Sequence, residues 1–155
     1  MENFEFLEYL LSGLCIAFLS SFITVKLAFV KFKSEKWWEK KAEVYTEAIS
    51  ALHDIKVFFE ENMDACHAQE EMNSEHFNKL DTSLNLAMSN LKRITNFNIF
   101  ILSKKAFSCL EKYISDMSKT KNEISLTTYL DDSLSFTYKC IAEMIKIAKK
   151  DLGVK

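Results

Sequence analysis

Tyr9 to Val25, YLLSGLCIAFLSSFITV, contains no charged residue, and it lies between an acidic leader and a lysine-rich sequel. This run constrains the fold more than any other feature, because a helix that is apolar all round has no solvated face to turn outward. Glu2, Glu5 and Glu8 precede it. Beyond Lys26 the sequence continues through LAFV to Val30 and then meets Lys31, Lys33 and Lys36. If the Lys26 stem lies in apolar surroundings and its ammonium reaches the headgroups, the apolar helix extends to Val30. About 20 residues at about 1.5 Å each cross a hydrocarbon core. The expectation is a single-pass transmembrane helix. The lysines mark its cytoplasmic end, leaving the N-terminus periplasmic and the rest of the chain in the cytosol. A cleaved signal peptide would carry a basic leader and a small-residue cleavage motif. The leader here is acidic, and no A-x-A-like motif precedes the lysines.

The remainder gives a two-part organisation: a transmembrane anchor with its basic collar over residues 1–33, and one cytosolic domain over 34–155. The second part is long enough for one modest core. The chain has no proline, and its only glycines are Gly13 and Gly153. Nothing between them supplies the turn chemistry of a β-rich protein, so the fold class is all-α. The four cysteines, Cys15, Cys66, Cys109 and Cys140, form no C-x-x-C pair. In a cytosolic domain they are expected as thiols rather than as a disulfide framework.

Four apolar stripes at three- and four-residue spacing predict an antiparallel bundle of about four helices. The first runs from about Ser34 to Met63, or on to Met72, through Trp38, Ala42, Tyr45, Ile49, Leu52, Ile55 and Phe59. It is either continuous with the span or bent near Lys33–Ser34. The second starts at Ser74 as its cap and carries Phe77, Leu80, Leu84, Ala87, Leu91 and Ile94. Residues 96–102, NFNIFIL, form a buried connection, since a lone strand would have no partner. Ser103 caps a third helix with Ala106, Phe107, Leu110, Ile114 and Met117. The last begins between Thr120 and Ser125, with Thr120-Lys-Asn-Glu123 or Ser125 as the cap. Its stripe is Leu126, Leu130, Leu134, Ile141, Met144 and Ala148, and Gly153 follows its end.

The net charge of −2 hides strong segregation. Lysines dominate residues 26–41, which suits an anionic membrane surface. Residues 42–78 hold Lys56 against nine acids, which opposes phosphate contacts and argues against direct DNA binding.

Within the span, Gly13, Ala17, Ser21, Thr24 and Ala28 fall on one face. Small residues at this spacing allow close helix–helix approach, so this face is the candidate for homo-oligomer association in the bilayer. Lys26, Lys31, Lys33, Lys36 and Trp37 form the membrane-interface set, with Trp38 turned into the bundle stripe. Ser103, Lys104 and Lys105 at a helix start, with Lys92 and Arg93 closing the helix before, form a candidate anion site. Asp64, Cys66, His67, Glu70 and Glu71 include zinc-ligand types but lack any metal-site spacing, and His53–Asp54 reads as a core-edge pair. No nucleophile elbow, catalytic triad or glycine-rich phosphate loop is present, so neither catalysis, a metal nor a cofactor is expected.

The stretch from Trp37 to Lys56, WWEKKAEVYTEAISALHDIK, resembles small bacterial proteins with one amino-terminal span and a cytosolic helical domain. FILSKKAF from Phe100 and IAEMIKIAKKDL from Ile141 are similar too. Proteins of this shape are similar to membrane effectors of anti-phage defence systems. The resemblance implies a bacterial inner-membrane effector that answers a nucleotide signal or a neighbouring protein complex. Together with the residues above, the expectation is a non-enzymatic effector or adaptor on the lipid bilayer that oligomerises and alters or marks the membrane; the alternatives are a plain membrane-anchored scaffold that recruits a partner and a metal-dependent enzyme.

Overall fold

A computed structural model describes residues 2–69, 72–120 and 125–154, with the side chains of α1 described at 13 and 14 and from 16 onward. The chain is all-α. Helix α1 spans Glu2–Ala68, α2 Ser74–Phe97, α3 Lys104–Thr120 and α4 Leu126–Leu152. It divides into two compact units, Met1–Glu39 and Lys40–Lys155. Lys33–Ser34 lies inside the unbroken α1, consistent with the absence of proline or glycine there. Among the described residues, no helix is long and apolar enough to cross a membrane. The apolar run of the sequence begins at Tyr9, however, and the side chains of residues 9–12 and of Cys15 lie outside the described residues.

In the second unit, side-chain pairs fix an antiparallel bundle. Phe58 and Phe77 meet at 6.3 Å between ring centroids, and Glu61 meets His76 at 2.5 Å, so α2 returns along α1. Tyr45 reaches Asp151, Glu60 reaches Tyr138, and Phe59 stacks edge-on against Tyr129. Rising numbers on α1 therefore meet falling numbers on α4. Cys109 with Cys140, and Tyr113 with Thr137, give α3 and α4 the same antiparallel sense. The core gathers Tyr45, Leu52, Ile55 and Phe59 of α1, Leu91 and Ile94 of α2, Leu110 of α3 and Met144 of α4, all essentially inaccessible. Burying one such side chain contributes roughly 1.5–3 kcal/mol, so this layer dominates the stability of the unit.

Several expectations need correction. The cap of α2 is Asn73, not Ser74: its side chain accepts from the Glu75 amide at 2.8 Å and the His76 amide at 3.4 Å. The 96–102 connection is buried only in part. Ile101 and Leu102 enter the core, whereas Phe97 and Phe100 are 71% and 74% exposed. A hydrogen-bonded turn explains the split, because the amides of Ile101 and Leu102 both bond the Asn98 carbonyl and fold the last two residues inward. Trp38 is exposed rather than part of the stripe. The bundle closes one turn later, where Lys41 and Tyr45 meet Asp151 near the end of α4 and Ser103 before α3. Leu126 is exposed as well, lying in the first turn of α4.

The ends of α3 and α4 match the sequence more closely. The Ser103 hydroxyl accepts from the Ala106 amide at 3.3 Å. Ser125 precedes α4 without a side-chain cap bond, and Thr120 is the last residue of α3, while residues 121–124 of the alternative capping box lie outside the described residues. Gly153 takes φ +68° beyond α4 and bonds back to the Lys149 and Lys150 carbonyls, a conformation glycine adopts without a Cβ penalty.

Candidate functional site

Among its described residues, the first unit presents an exposed helix surface. From Ile16 to Phe32 the apolar side chains point outward on every side, with Phe18 70%, Val25 67% and Phe32 55% exposed. Ala17, Ser21, Thr24 and Ala28 lie along one exposed face, and a Cβ built on Gly13 would meet nothing within 4 Å. Ser20 donates to the Ala17 carbonyl at 3.0 Å, and Thr24 donates to the Ser20 carbonyl at 2.8 Å. Both hydroxyls are thus satisfied inside their own helix, which lowers the cost of taking them into lipid. It also means that contact between copies would rest on close packing more than on bonds donated by these hydroxyls.

Beyond that surface the interface lysines are engaged locally. Lys26 lies over the Phe22 ring at 5.6 Å and Lys33 over Phe29 at 4.8 Å. Lys31 pairs with Glu35 at 3.8 Å, and Lys36 with Glu39 at 2.6 Å. All four pairs are i, i+4 or i, i+3 neighbours on one helix, and in water such contacts stabilise by only a few tenths of a kcal/mol. Trp37 is exposed beside them.

The residues proposed for an anion site separate into two groups. Ser103 is committed to the α3 cap and to the Tyr45 hydroxyl, 3.3 Å away. Lys104 and Lys105 instead line one end of a groove of about 1110 Å³ between α3 and α4. Lys92 and Arg93 are exposed on α2 and do not line that groove. Its walls include Tyr113, Phe136 and Ile147, with Lys112, Lys139 and Lys146 also among the lining residues. Cys109 and Cys140 meet in it with their sulfurs 3.8 Å apart.

Beside the groove, the buried α4 side of the α3–α4 seam carries small residues. Ser133, Thr137 and Cys140 are buried at i, i+4 and i+7 on α4, a stripe that the larger Leu134 and Ile141 only flank. The Ser133 hydroxyl donates to Thr120 at 3.4 Å, Thr120 donates to the Met117 carbonyl at 3.0 Å, and Thr137 donates to the Ser133 carbonyl at 2.7 Å. Burial pushes the Tyr113 phenol well above its ordinary pKa, although the Thr137 contact works the other way. Hydrophobicity patterns pass over Ser, Thr and Cys. The signal available in the sequence was their spacing in phase with Leu130 and Met144.

A second polar cluster closes the end of the bundle. Asp151 accepts from the Tyr45 hydroxyl, and Lys41 stands 3.9 Å from the same carboxylate. Burial works to raise the Asp151 pKa, but the Tyr45 and Ser103 hydroxyls and the Lys41 charge outweigh it and hold it below the usual carboxylate value. Tyr45 is raised, first by burial and then by donation to Asp151. These groups tie three segments together: α1, the residue before α3 and the end of α4.

Among the described residues, no three His, Cys, Asp or Glu side chains come together as a metal site. Asp64 and His67 are exposed and Cys66 is half-buried, while Glu70 and Glu71 lie outside the described residues; His53 and Asp54 are exposed, not at the core edge. No protein-family model, curated protein or solved structure matches the chain.

Proposed function

We propose that the protein is a membrane-anchored, non-enzymatic effector or adaptor. Residues Tyr9–Val30 occupy the bacterial inner membrane, with the N-terminus periplasmic, and the bundle in the cytosol receives a protein or nucleotide signal. One observation carries this reading: the apolar side chains of α1 from Ile16 to Phe32 are uncovered around the whole helix. Contiguous exposed apolar surface on this scale marks a membrane or partner contact. The charge-free sequence from Tyr9 and the lysines after Val30 favour lipid as the cover. Self-association through Gly13, Ala17, Ser21, Thr24 and Ala28 then couples the copies. The place in anti-phage defence rests on the resemblance alone.

Alkaline carbonate extraction, with labelling of Glu2→Cys and Lys155→Cys variants by a reagent that cannot cross the membrane, tests the topology. The protein should stay with the membrane pellet and label only at position 2. Recovery in the extract, or labelling at position 155 in intact cells, would refute the topology. To separate effector from plain scaffold, residues 9–30 are exchanged for an unrelated span of equal length. A scaffold keeps its activity in a phage-challenge assay, and an effector whose span acts loses it.

A further inference from the structure

Cys109 and Cys140 are the only groups in the α3–α4 groove that combine nucleophilic chemistry with a partner at reacting distance. Their sulfurs stand 3.8 Å apart, across the seam where the small residues Ser133 and Thr137 let the two helices approach. Both line the groove, but Cys109 is half-buried whereas Cys140 is only 5% exposed. Solvent therefore reaches Cys109 more readily than Cys140. The hydrogen bond with the Cys140 thiol, aided weakly by Lys112, lowers the Cys109 pKa against burial and the nearby Glu143 charge; the same bond and its own burial raise that of Cys140. One sulfur is placed to attack and the other to resolve.

We propose that Cys109 and Cys140 form a peroxide-reactive dithiol that closes to a reversible disulfide. In the first step the Cys109 thiolate attacks one oxygen of hydrogen peroxide, the O–O bond breaks, and hydroxide leaves, giving a sulfenic acid on Cys109. In the second, the Cys140 sulfur attacks the Cys109 sulfur. An S–S bond forms, the S–O bond breaks, and the Cys140 proton leaves with the hydroxyl as water. The two sulfurs together supply two electrons, and the peroxide is reduced to two waters. Closure needs the sulfurs to approach from 3.8 Å to about 2.05 Å, a displacement that side-chain rotation and a small shift of the helices can share. The bridge would pin α3 to α4 across the floor of the groove and alter the surface it offers to a partner. The proposal does not depend on the membrane reading.

The test uses the full chain, detergent-extracted and reduced, treated with hydrogen peroxide, alkylated and mapped by mass spectrometry. The native protein should lose about 2 Da and yield one cross-linked peptide pair joining Cys109 to Cys140. Cys66, which has the Thr127 hydroxyl beside it at 3.8 Å instead of a second thiol, should stay open to alkylation. Cys140→Ser should leave a sulfenic acid on Cys109 that a cyclic diketone captures, and Cys109→Ser should slow oxidation of Cys140 by about tenfold or more. The wild-type chain mapped in urea guards against misfolded variants, because there the preference for this pair should vanish. Free Cys109 and Cys140 after a treatment that oxidises Cys66 would overturn the proposal, as would a pair preference that persists in urea.

Discussion

Replacing Tyr113 by Phe deletes one oxygen from a buried polar contact in the bundle. Tyr113 is 3% exposed and Thr137 is fully buried, and their oxygens are 2.9 Å apart. Thr137 has a single hydroxyl proton, and it is already donated to the Ser133 carbonyl at 2.7 Å. Tyr113 must therefore be the donor. Tyr113→Phe leaves a threonine oxygen that has lost its donor, at a cost of about 1 kcal/mol. Thr137→Val is the more damaging change, because it strands a buried phenolic O–H, and about 2 kcal/mol is expected. The double variant strands neither group, so it should be less destabilised than the sum of the two by about 1 kcal/mol. Urea unfolding followed by helix circular dichroism measures all four proteins, and in thermal melts about 1 kcal/mol corresponds to roughly 4 °C for a unit of this size. If the two single effects simply add, or if Tyr113→Phe is neutral, the donor assignment is wrong and the seam is held by packing alone.

Three further outcomes follow from the same contacts. Ile101→Ala should cost about 2–4 kcal/mol because the side chain is buried, whereas Phe100→Ser, at an exposed site in the same turn, should stay within about 0.5 kcal/mol; equal losses would mean that the turn is buried as a whole. Asp151 has a folded pKa held below its ordinary value, so its contribution is present near neutrality and is lost as pH falls below about 4 and through the folded value. The stability gap between wild type and Asp151→Asn should accordingly hold from about pH 7 down to about pH 4 and shrink as the pH falls further, and a gap that widens on acidification would reverse the assignment. Gly13→Leu and Ala17→Leu should weaken cross-linking between copies in membranes, while Leu14→Ala and Phe18→Ala should be mild; wild-type cross-linking by the small-face variants would move the contact to the bundle.

The sequence by itself determined the all-α class, the approximate extent of each helix and most of the apolar core. Those properties follow from local rules: no proline, glycine only at 13 and 153, and apolar residues recurring with the helical period. Its caps were legible where side-chain chemistry leaves one choice, as at Ser103 and Gly153. At α2, asparagine and serine stand side by side, both able to cap, and the geometry selected Asn73. Only tertiary structure decided where the bundle stops. Trp38 obeys the periodicity of the stripe, yet Asp151 and Ser103 meet the helix at Tyr45, and a residue about two turns beyond that layer stays exposed whatever its hydrophobicity. The pairing of Cys109 with Cys140 was hidden for a related reason. They are 31 residues apart on different helices, and no C-x-x-C spacing announces them. Their proximity is set by how closely two helices can approach over Ser133 and Thr137, a property of the packed pair that neither helix carries alone.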